Sequence, residues 1–122
     1  MIGGLNLTIN LCMYIPDLTN GGCYEDKPAR MLTGKFLSLN TNTPSACKDK
    51  CQDFKYFAVQ YTKQCFCGDT LHHLVKKPES ECNAKCPGDS SQTCGGTWRQ
   101  NVYETAQFTA QPAHGKNVLD SA

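Results

Sequence analysis

The sequence lacks an excess of charge of either sign. Its 122 residues include twelve lysines and arginines and eleven aspartates and glutamates, which gives a formal net charge of +1. Binding to nucleic acids or anionic membrane surfaces generally draws on a pronounced positive charge. We therefore expect no nucleic-acid partner, and we expect recognition to depend on a local group of side chains.

Long apolar segments are also absent. The sequence has no run of eighteen consecutive apolar residues, so we predict no membrane span in this chain. Residues 1–20 have no basic start and are interrupted by Asn6, Thr8 and Asn10, which makes them a poor signal peptide. We expect a fragment or a truncated gene model. If the parent protein is a membrane receptor, its anchor lies elsewhere.

Recognisable catalytic motifs are missing as well. There is no Gly-x-Ser-x-Gly, no His-Glu-x2-His and no phosphate-binding loop. Two carboxylates for glycoside hydrolysis could be chosen from the eleven available, but a domain this small rarely forms the deep cleft that they need. We predict no enzyme activity, no catalytic residue and no cofactor.

Cysteine, by contrast, is abundant: the chain has nine, and eight of them fall between Cys23 and Cys94. Such density is typical of small disulfide-bridged domains that mature in an oxidising compartment, so we predict an extracellular or secreted protein. Removing one native bridge from such a domain costs about 2–5 kcal/mol, which approaches its whole stability. We therefore expect the reduced chain to be unfolded, or nearly so.

A metal site is the alternative use of these cysteines. Cys65-x-Cys67, the His72-His73 pair and Cys82-x3-Cys86 could together supply sulfur and nitrogen ligands. Their spacing differs from the usual Cys-x2-Cys of zinc sites, so we predict no metal and expect both histidines in an exposed loop.

Composition divides the chain into three parts. Residues 1–20 form an N-terminal extension, in which the sequon Asn6-Leu7-Thr8 makes Asn6 a candidate glycosylation site, although a chance match fits equally well. Residues 21–105 are the expected folded domain. Residues 106–122 lack periodicity and contain Pro and Gly, which predicts a flexible tail.

One helix is predicted in the middle of the domain. Thr43 can cap its first turn, and Pro44 is tolerated at the first helical position. Helical spacing then continues through five residues: Ala46, Cys47, Lys50, Cys51 and Phe54.

A hairpin is predicted after the helix. Residues 57–61 alternate like a strand, Thr62-Lys63 suits a tight turn, and residues 64–68 form the return strand, on which Cys65 and Cys67 project from one side.

Two disulfides can join this helix to this hairpin. Cysteines one helical turn apart are separated by about 6 Å, and cysteines two residues apart on a strand by about 6.6 Å, so the helix pair and the strand pair have nearly the same spacing. Cys47 would bond Cys65 and Cys51 would bond Cys67, or the order is reversed if the helix runs the other way. A further bridge from Cys86 to Cys94 would close the turn-rich loop between them.

The ordered motifs of the domain resemble the WSC domain. The match runs from residue 22 to residue 103 and rests on these segments: Gly22-Cys23-Tyr24, Arg30-x-Leu32-x-Gly34, Cys47-x3-Cys51, Tyr56-Phe57-Ala58-Val59-Gln60-Tyr61, Cys65-Phe66-Cys67-Gly68, Cys82-Asn83-x2-Cys86, Gly88-Asp89-x3-Thr93-Cys94-Gly95-Gly96 and Arg99-x2-Val102-Tyr103. WSC domains are extracellular modules of fungal cell-wall sensors, glucan-active enzymes, Kremen-type receptors, xylosyltransferases and polycystins.

The resemblance implies an α+β fold, a small disulfide-rich domain of the PAN/apple type in which a twisted antiparallel sheet carries one helix packed on it. It also implies four disulfides: Cys23–Cys82, Cys47–Cys65, Cys51–Cys67 and Cys86–Cys94. Ala58 and Asp69 stand where many members have Gly and Asn, a change that leaves the fold prediction intact. Cys12 has no partner in this set and could bond a missing neighbour, join two chains or remain a free thiol.

Carbohydrate binding is the function that the resemblance implies. Aromatic faces suit the apolar side of a sugar ring, and amides, carboxylates and arginine suit its hydroxyls. The candidate binding residues are Trp98, Arg99, Tyr61, Gln60 and Asp89. Asp89 lies in a Pro-Gly loop, where Asp usually bonds local backbone donors instead.

The predicted partner is a cell-wall, matrix or cell-surface glycan. Two alternatives remain open from the sequence. One is a protein-interaction module in a receptor ectodomain, packed against a neighbouring domain. The other is an ancillary domain of a glycan-active enzyme.

Overall fold

The computed structural model of the protein describes residues 17–109. Asn6, Cys12 and residues 110–122 of the predicted tail lie outside the described residues. Beyond the predicted domain, Leu18 is buried and Phe108 packs against the core. None of the helices within residues 17–109 is long enough and apolar enough to cross a bilayer.

One five-stranded antiparallel sheet and one α-helix make up most of the fold. The elements in chain order are β1 Cys23–Glu25, β2 Lys35–Ser38, α1 Pro44–Lys50, β3 Tyr56–Gln60, β4 Gln64–Gly68, a 3-10 turn Glu79–Glu81, β5 Lys85–Cys86, β6 Asp89–Thr93 and β7 Arg99–Glu104. The sheet order is β1-β7-β3-β4-β2, and β5 and β6 form a separate hairpin. The predicted small disulfide-rich α+β class is confirmed.

The helix begins as predicted but ends early. Thr43 Oγ1 accepts a hydrogen bond from the Ala46 amide at 3.0 Å, and Pro44 occupies the first turn. Helical geometry stops at Cys51, whose backbone angles are φ −111° and ψ 22° and whose amide donates to the Lys48 carbonyl in a tighter turn. Phe54 therefore lies beyond the helix, although its spacing fitted the helical pattern.

Both faces of the sheet are covered. On β3, Phe57 and Val59 point toward α1 and the disulfides, while Ala58 points to the opposite face, because successive strand residues alternate. We call these the helix face and the loop face. The loop face is covered by the chain segments that follow β1 and β4, which contribute Met31, Leu32, Leu71 and Leu74.

Four disulfides hold these layers together. They join Cys23 to Cys82, Cys47 to Cys65, Cys51 to Cys67 and Cys86 to Cys94. The pairing implied by the resemblance is thus confirmed, and the reversed order of the two helix-to-hairpin bridges is excluded.

The cysteine cluster offers no free thiolate to a metal. The sulfurs of Cys47, Cys51 and Cys65 lie within 4.8 Å of one another, but each belongs to a disulfide. A cysteine binds a metal as its thiolate, and a disulfide sulfur is not a thiolate. His72 is exposed as predicted, whereas His73 is partly buried.

The segment predicted as a loop between Cys86 and Cys94 contains a strand. Residues 89–93 pair with β5, with Cys86 opposite Asp89 and Lys85 opposite Thr93. These five residues are all polar, so no alternation of apolar side chains marked them as a strand. The Cys86–Cys94 bridge closes this small hairpin.

Candidate functional site

The β3–β4 connection presents Tyr61. Gln60 pairs with Gln64, so the loop has three residues instead of the two-residue turn predicted. Tyr61 and Thr62 adopt positive φ angles of 47° and 74°, which lead the chain out of the ladder. Tyr61 consequently stands 60% exposed at the end of the sheet.

Buried groups hold this loop in place. The Thr62 amide donates to the Cys94 carbonyl at 3.0 Å. The fully buried Asn42 donates from Nδ2 to the carbonyl oxygens of Thr62 and Gln64, at 3.1 and 3.3 Å. Because the loop is anchored from beneath, the exposed Tyr61 ring extends from a fixed backbone.

A second tight turn, just before β7, presents Trp98. The Gly96 amide donates to the Arg99 carbonyl at 2.9 Å, and the Arg99 amide donates to the Gly96 carbonyl at 3.1 Å. Thr97 and Trp98 form the tip, and Trp98 has φ 54°, an uncommon value for a residue with a side chain. The Asp26 amide bonds the Trp98 carbonyl at 3.0 Å, and Trp98 is 41% exposed.

Arg30 lies beside this turn. Its Nη1 donates to Oδ2 of Asp26 at 2.7 Å, and the other oxygen of this buried carboxylate accepts from the Met31 amide at 3.0 Å. The guanidinium carbon is 4.9 Å from the ring centre of Trp98 and 5.2 Å from that of Phe66. Arg30 is therefore fixed by an ion pair with a buried carboxylate and by two cation–π contacts.

These elements meet around one shallow cleft of about 210 Å³, which we call the Trp98 cleft. Its lining consists of Arg30, Gln60, Tyr61, Gln64, Thr97 and Trp98. Pockets that enclose a small molecule usually measure roughly 300–1,000 Å³. The Trp98 cleft is smaller, so it suits contact with one face of a ligand.

Gln60 supplies a buried acceptor in this cleft. The residue is 4% exposed, and its Oε1 accepts no hydrogen bond from any of residues 17–109. An unsatisfied buried polar atom costs about 1–3 kcal/mol. Gln60 therefore lines the cleft with its Oε1 atom buried.

Two of the five predicted binding residues lie outside the cleft. Arg99 Nε donates to Oε1 of Glu81 at 2.6 Å, and its Nη1 donates to the Trp98 carbonyl. Asp89 accepts from the amide and hydroxyl of Ser91 and from the side-chain amide of Gln92, the local bonding expected of its loop. The other three predictions, Gln60, Tyr61 and Trp98, share the cleft.

Sequence reasoning missed three lining residues: Arg30, Gln64 and Thr97. Gln64 adjoins the predicted Thr62-Lys63 turn, and Thr97 follows Gly95-Gly96, so turn-forming neighbours were an available signal for both. Arg30 gave no such signal. It lies at the cleft because its partner Asp26 packs against the Trp98 turn, and Asp26 and Trp98 are far apart in the sequence.

Sheet, helix, bridges and cleft define a small disulfide-bridged α+β module with a shallow aromatic surface. Comparison with known proteins gives the family: the WSC domain profile matches residues 20–96. The chain belongs to the WSC domain family.

Several curated proteins share this region. The chain is 46% identical over 99 residues to "Xylosyltransferase oxt" of Drosophila pseudoobscura pseudoobscura, covering 75% of this chain and 11% of that protein. It is 40% identical over 92 residues to a "WSC domain-containing protein" of Arthroderma benhamiae, covering 74% and 13%. "Protein SLG1" of Saccharomyces cerevisiae is 33% identical over 84 residues, covering 67% and 22%. The chain thus spans a small part of the relatives it matches.

Proposed function

We propose that this domain is a non-catalytic carbohydrate-binding module and that the Trp98 cleft is its binding surface. The observation that carries the proposal is the convergence of Trp98, Tyr61, Gln60 and Arg30, from three separate chain segments, on one shallow cleft. Each supplies one element of sugar recognition.

Exposed aromatic rings provide the apolar contact. The C–H groups on the face of a pyranose ring pack on an indole or phenol, and polar ring tips remain in contact with water. Trp98 and Tyr61 are 41% and 60% exposed, and tight turns hold both backbones. A rigid aromatic surface loses little side-chain entropy on binding.

Polar groups beside the rings provide the hydrogen bonds. The guanidinium of Arg30 has five N–H donors, of which Nη1 bonds Asp26. The side-chain amides of Gln60 and Gln64 and the hydroxyl of Thr97 complete the lining. Sugar hydroxyls both donate and accept, so this mixed set suits them.

The lining argues for binding without chemistry. None of its six residues carries a carboxylate, an imidazole or a thiol, so the hydroxyls of Tyr61 and Thr97 have no carboxylate or imidazole base among the lining residues to activate them. Retaining and inverting glycosidases need two carboxyl groups flanking the bond that breaks.

We also propose an extracellular or secretory-pathway location, because four disulfides persist in oxidising compartments. Asn6 remains a candidate glycosylation site in that location. The relatives named as xylosyltransferases fit an ancillary domain, since the region shared with this chain is 11% of one such protein.

The test is retention of the oxidised protein on insoluble glucans, on chitin and on a glycan array. Trp98→Ala should lose retention, and Val75→Ala should keep it, because Val75 is similarly exposed at 42% but does not line the cleft. Mass spectrometry and circular dichroism establish that each variant is bridged and folded.

A folded, oxidised domain that binds no glycan would refute the proposal. It would favour the protein-interaction alternative, because exposed aromatic side chains, Phe36 and Tyr61 among them, also suit a protein partner. Retention by Trp98→Ala equal to the wild type would place the binding surface elsewhere.

A further inference from the structure

A second depression lies next to the Trp98 cleft. It measures about 380 Å³ and is lined by Arg30, Leu32, Thr33, Lys35, Phe36 and Phe66. We call it the Phe36 depression. Arg30 lines both sites and separates them.

Phe36 gives this depression an aromatic surface. It lies on the edge strand β2, directly opposite Phe66 of β4, and the two ring centres are 5.0 Å apart at an interplanar angle of 49°. Phe66 is buried, whereas Phe36 is 56% exposed. The exposed ring is thus supported from one side and open on the other.

The aromatic groups of the two sites follow one another across the loop face. Trp98, the Arg30 guanidinium, Phe66 and Phe36 succeed one another at centre distances of 4.9, 5.2 and 5.0 Å. Two exposed rings, Trp98 and Phe36, therefore lie at the two ends of this row, with the Arg30 guanidinium and the buried Phe66 ring between them.

We infer that the Phe36 depression is a second sugar subsite, so that the domain binds two or more units of one linear glycan across Arg30. The inference rests on the proposed function of the Trp98 cleft. It adds a ligand form: a linear chain of sugar units whose ring faces carry C–H groups that the two exposed aromatic rings can contact.

The polar lining of the depression supports this assignment. Arg30, Thr33 and Lys35 all carry hydrogen-bond donors, and Lys35 forms no ion pair with any of residues 17–109. Phe36 would contact the ring face, and the three donors would bond hydroxyl or ring-substituent oxygens at its edge. Both parts of an amphipathic sugar unit are provided for.

Linked subsites predict a dependence on chain length. Once one sugar unit occupies the Trp98 cleft, a further unit of the same chain is held close to the Phe36 depression and binds there at a high effective concentration. Affinity should therefore rise from the monosaccharide to short oligosaccharides and then level off.

The experiment titrates β-1,3-glucan and chitin oligosaccharides of one to six units into the oxidised protein, followed by NMR shifts and calorimetry. Phe36→Ala should weaken binding of the longer oligosaccharides by about two- to tenfold, the range of a lost aromatic contact, and leave the monosaccharide unaffected. Trp98→Ala should weaken binding at every length. Phe36→Tyr should restore the length dependence, and Val75→Ala should behave as the wild type.

The two proposals fail separately. Binding that does not change with length, or equal affinities of Phe36→Ala and wild type for the hexamers, overturns the second subsite and leaves the Trp98 cleft intact. Binding to neither oligosaccharide series also overturns the second subsite. A folded protein that binds no glycan on the array overturns the proposed function as well.

Discussion

Replacement of Trp98 by Gly and by Ala separates the backbone of the site from its side chain. Trp98 has φ 54°, a left-handed conformation that costs a residue with a Cβ about 1–2 kcal/mol and that Gly adopts freely. Both variants lose the indole and its 4.9 Å contact with Arg30, a cation–π contribution of about 0.5–1 kcal/mol at an exposed site. The two variants therefore differ chiefly in backbone strain.

We expect the free energy of unfolding of Trp98→Gly to exceed that of Trp98→Ala by about 1 kcal/mol, although Gly is usually the more destabilising replacement. In thermal unfolding this corresponds to a difference of about 4–8 °C for a domain of this size. Both variants should lose glycan retention. Chemical denaturation with the disulfides intact gives the comparison.

An Ala variant as stable as the Gly variant, or more stable, would refute this reasoning. It would mean that the turn relaxes to negative φ once the indole is removed. Trp98→Asn is a useful third member of the series, because Asn tolerates left-handed backbone and should fall between Gly and Ala.

Three other predictions concern the frame of the domain. Replacing both members of Cys23–Cys82 by Ser should cost about 4 kcal/mol and the same change at the small-hairpin bridge about 2.5 kcal/mol, because these bridges close sequence separations of 59 and 8; equal costs in urea unfolding would contradict the loop-entropy argument. Asp26→Asn should lower the unfolding free energy by about 1.5–3 kcal/mol, since a charged acceptor of Arg30 and of a backbone amide is lost, and should weaken glycan retention; unchanged stability would show that the pair contributes nothing. Burial raises the pKa of Tyr103 to about 12, so unfolding between pH 10 and 12 releases a proton, and the free energy of unfolding falls by up to about 1.4 kcal/mol per pH unit. In unfolding titrations with Cys12 alkylated, Tyr103→Phe should lack this loss of stability. A loss that persists in Tyr103→Phe would assign the titration to another group.

The bridged frame was largely predictable from the sequence. Regular helix and strand geometry fixes how far apart Cys47 and Cys51 lie, and likewise Cys65 and Cys67, so the matched spacing predicted that two bridges could join helix and hairpin in either of two orders. Only the resemblance to a known family chose between them, because direction depends on chain topology, which local spacing does not encode.

The cleft was predictable only where local rules apply. Tyr61 and Trp98 adjoin turn residues, and turns place their side chains at the surface. Arg99, which was also a candidate, does not line the cleft, because its guanidinium is bound to Glu81. Arg30 reaches the site because its local partner Asp26 is buried against the Trp98 turn, and that packing of distant segments is invisible to periodicity.

Strand β4 separates the face of the sheet that carries disulfides from the face that carries the proposed binding residues. Its pleat directs Cys65 and Cys67 into covalent bonds on the helix face and Phe66 toward Arg30 on the other. Exposed side chains on the loop face can therefore be replaced without breaking a disulfide. Domains of this architecture can keep the same four bridges while the residues of their binding surface differ.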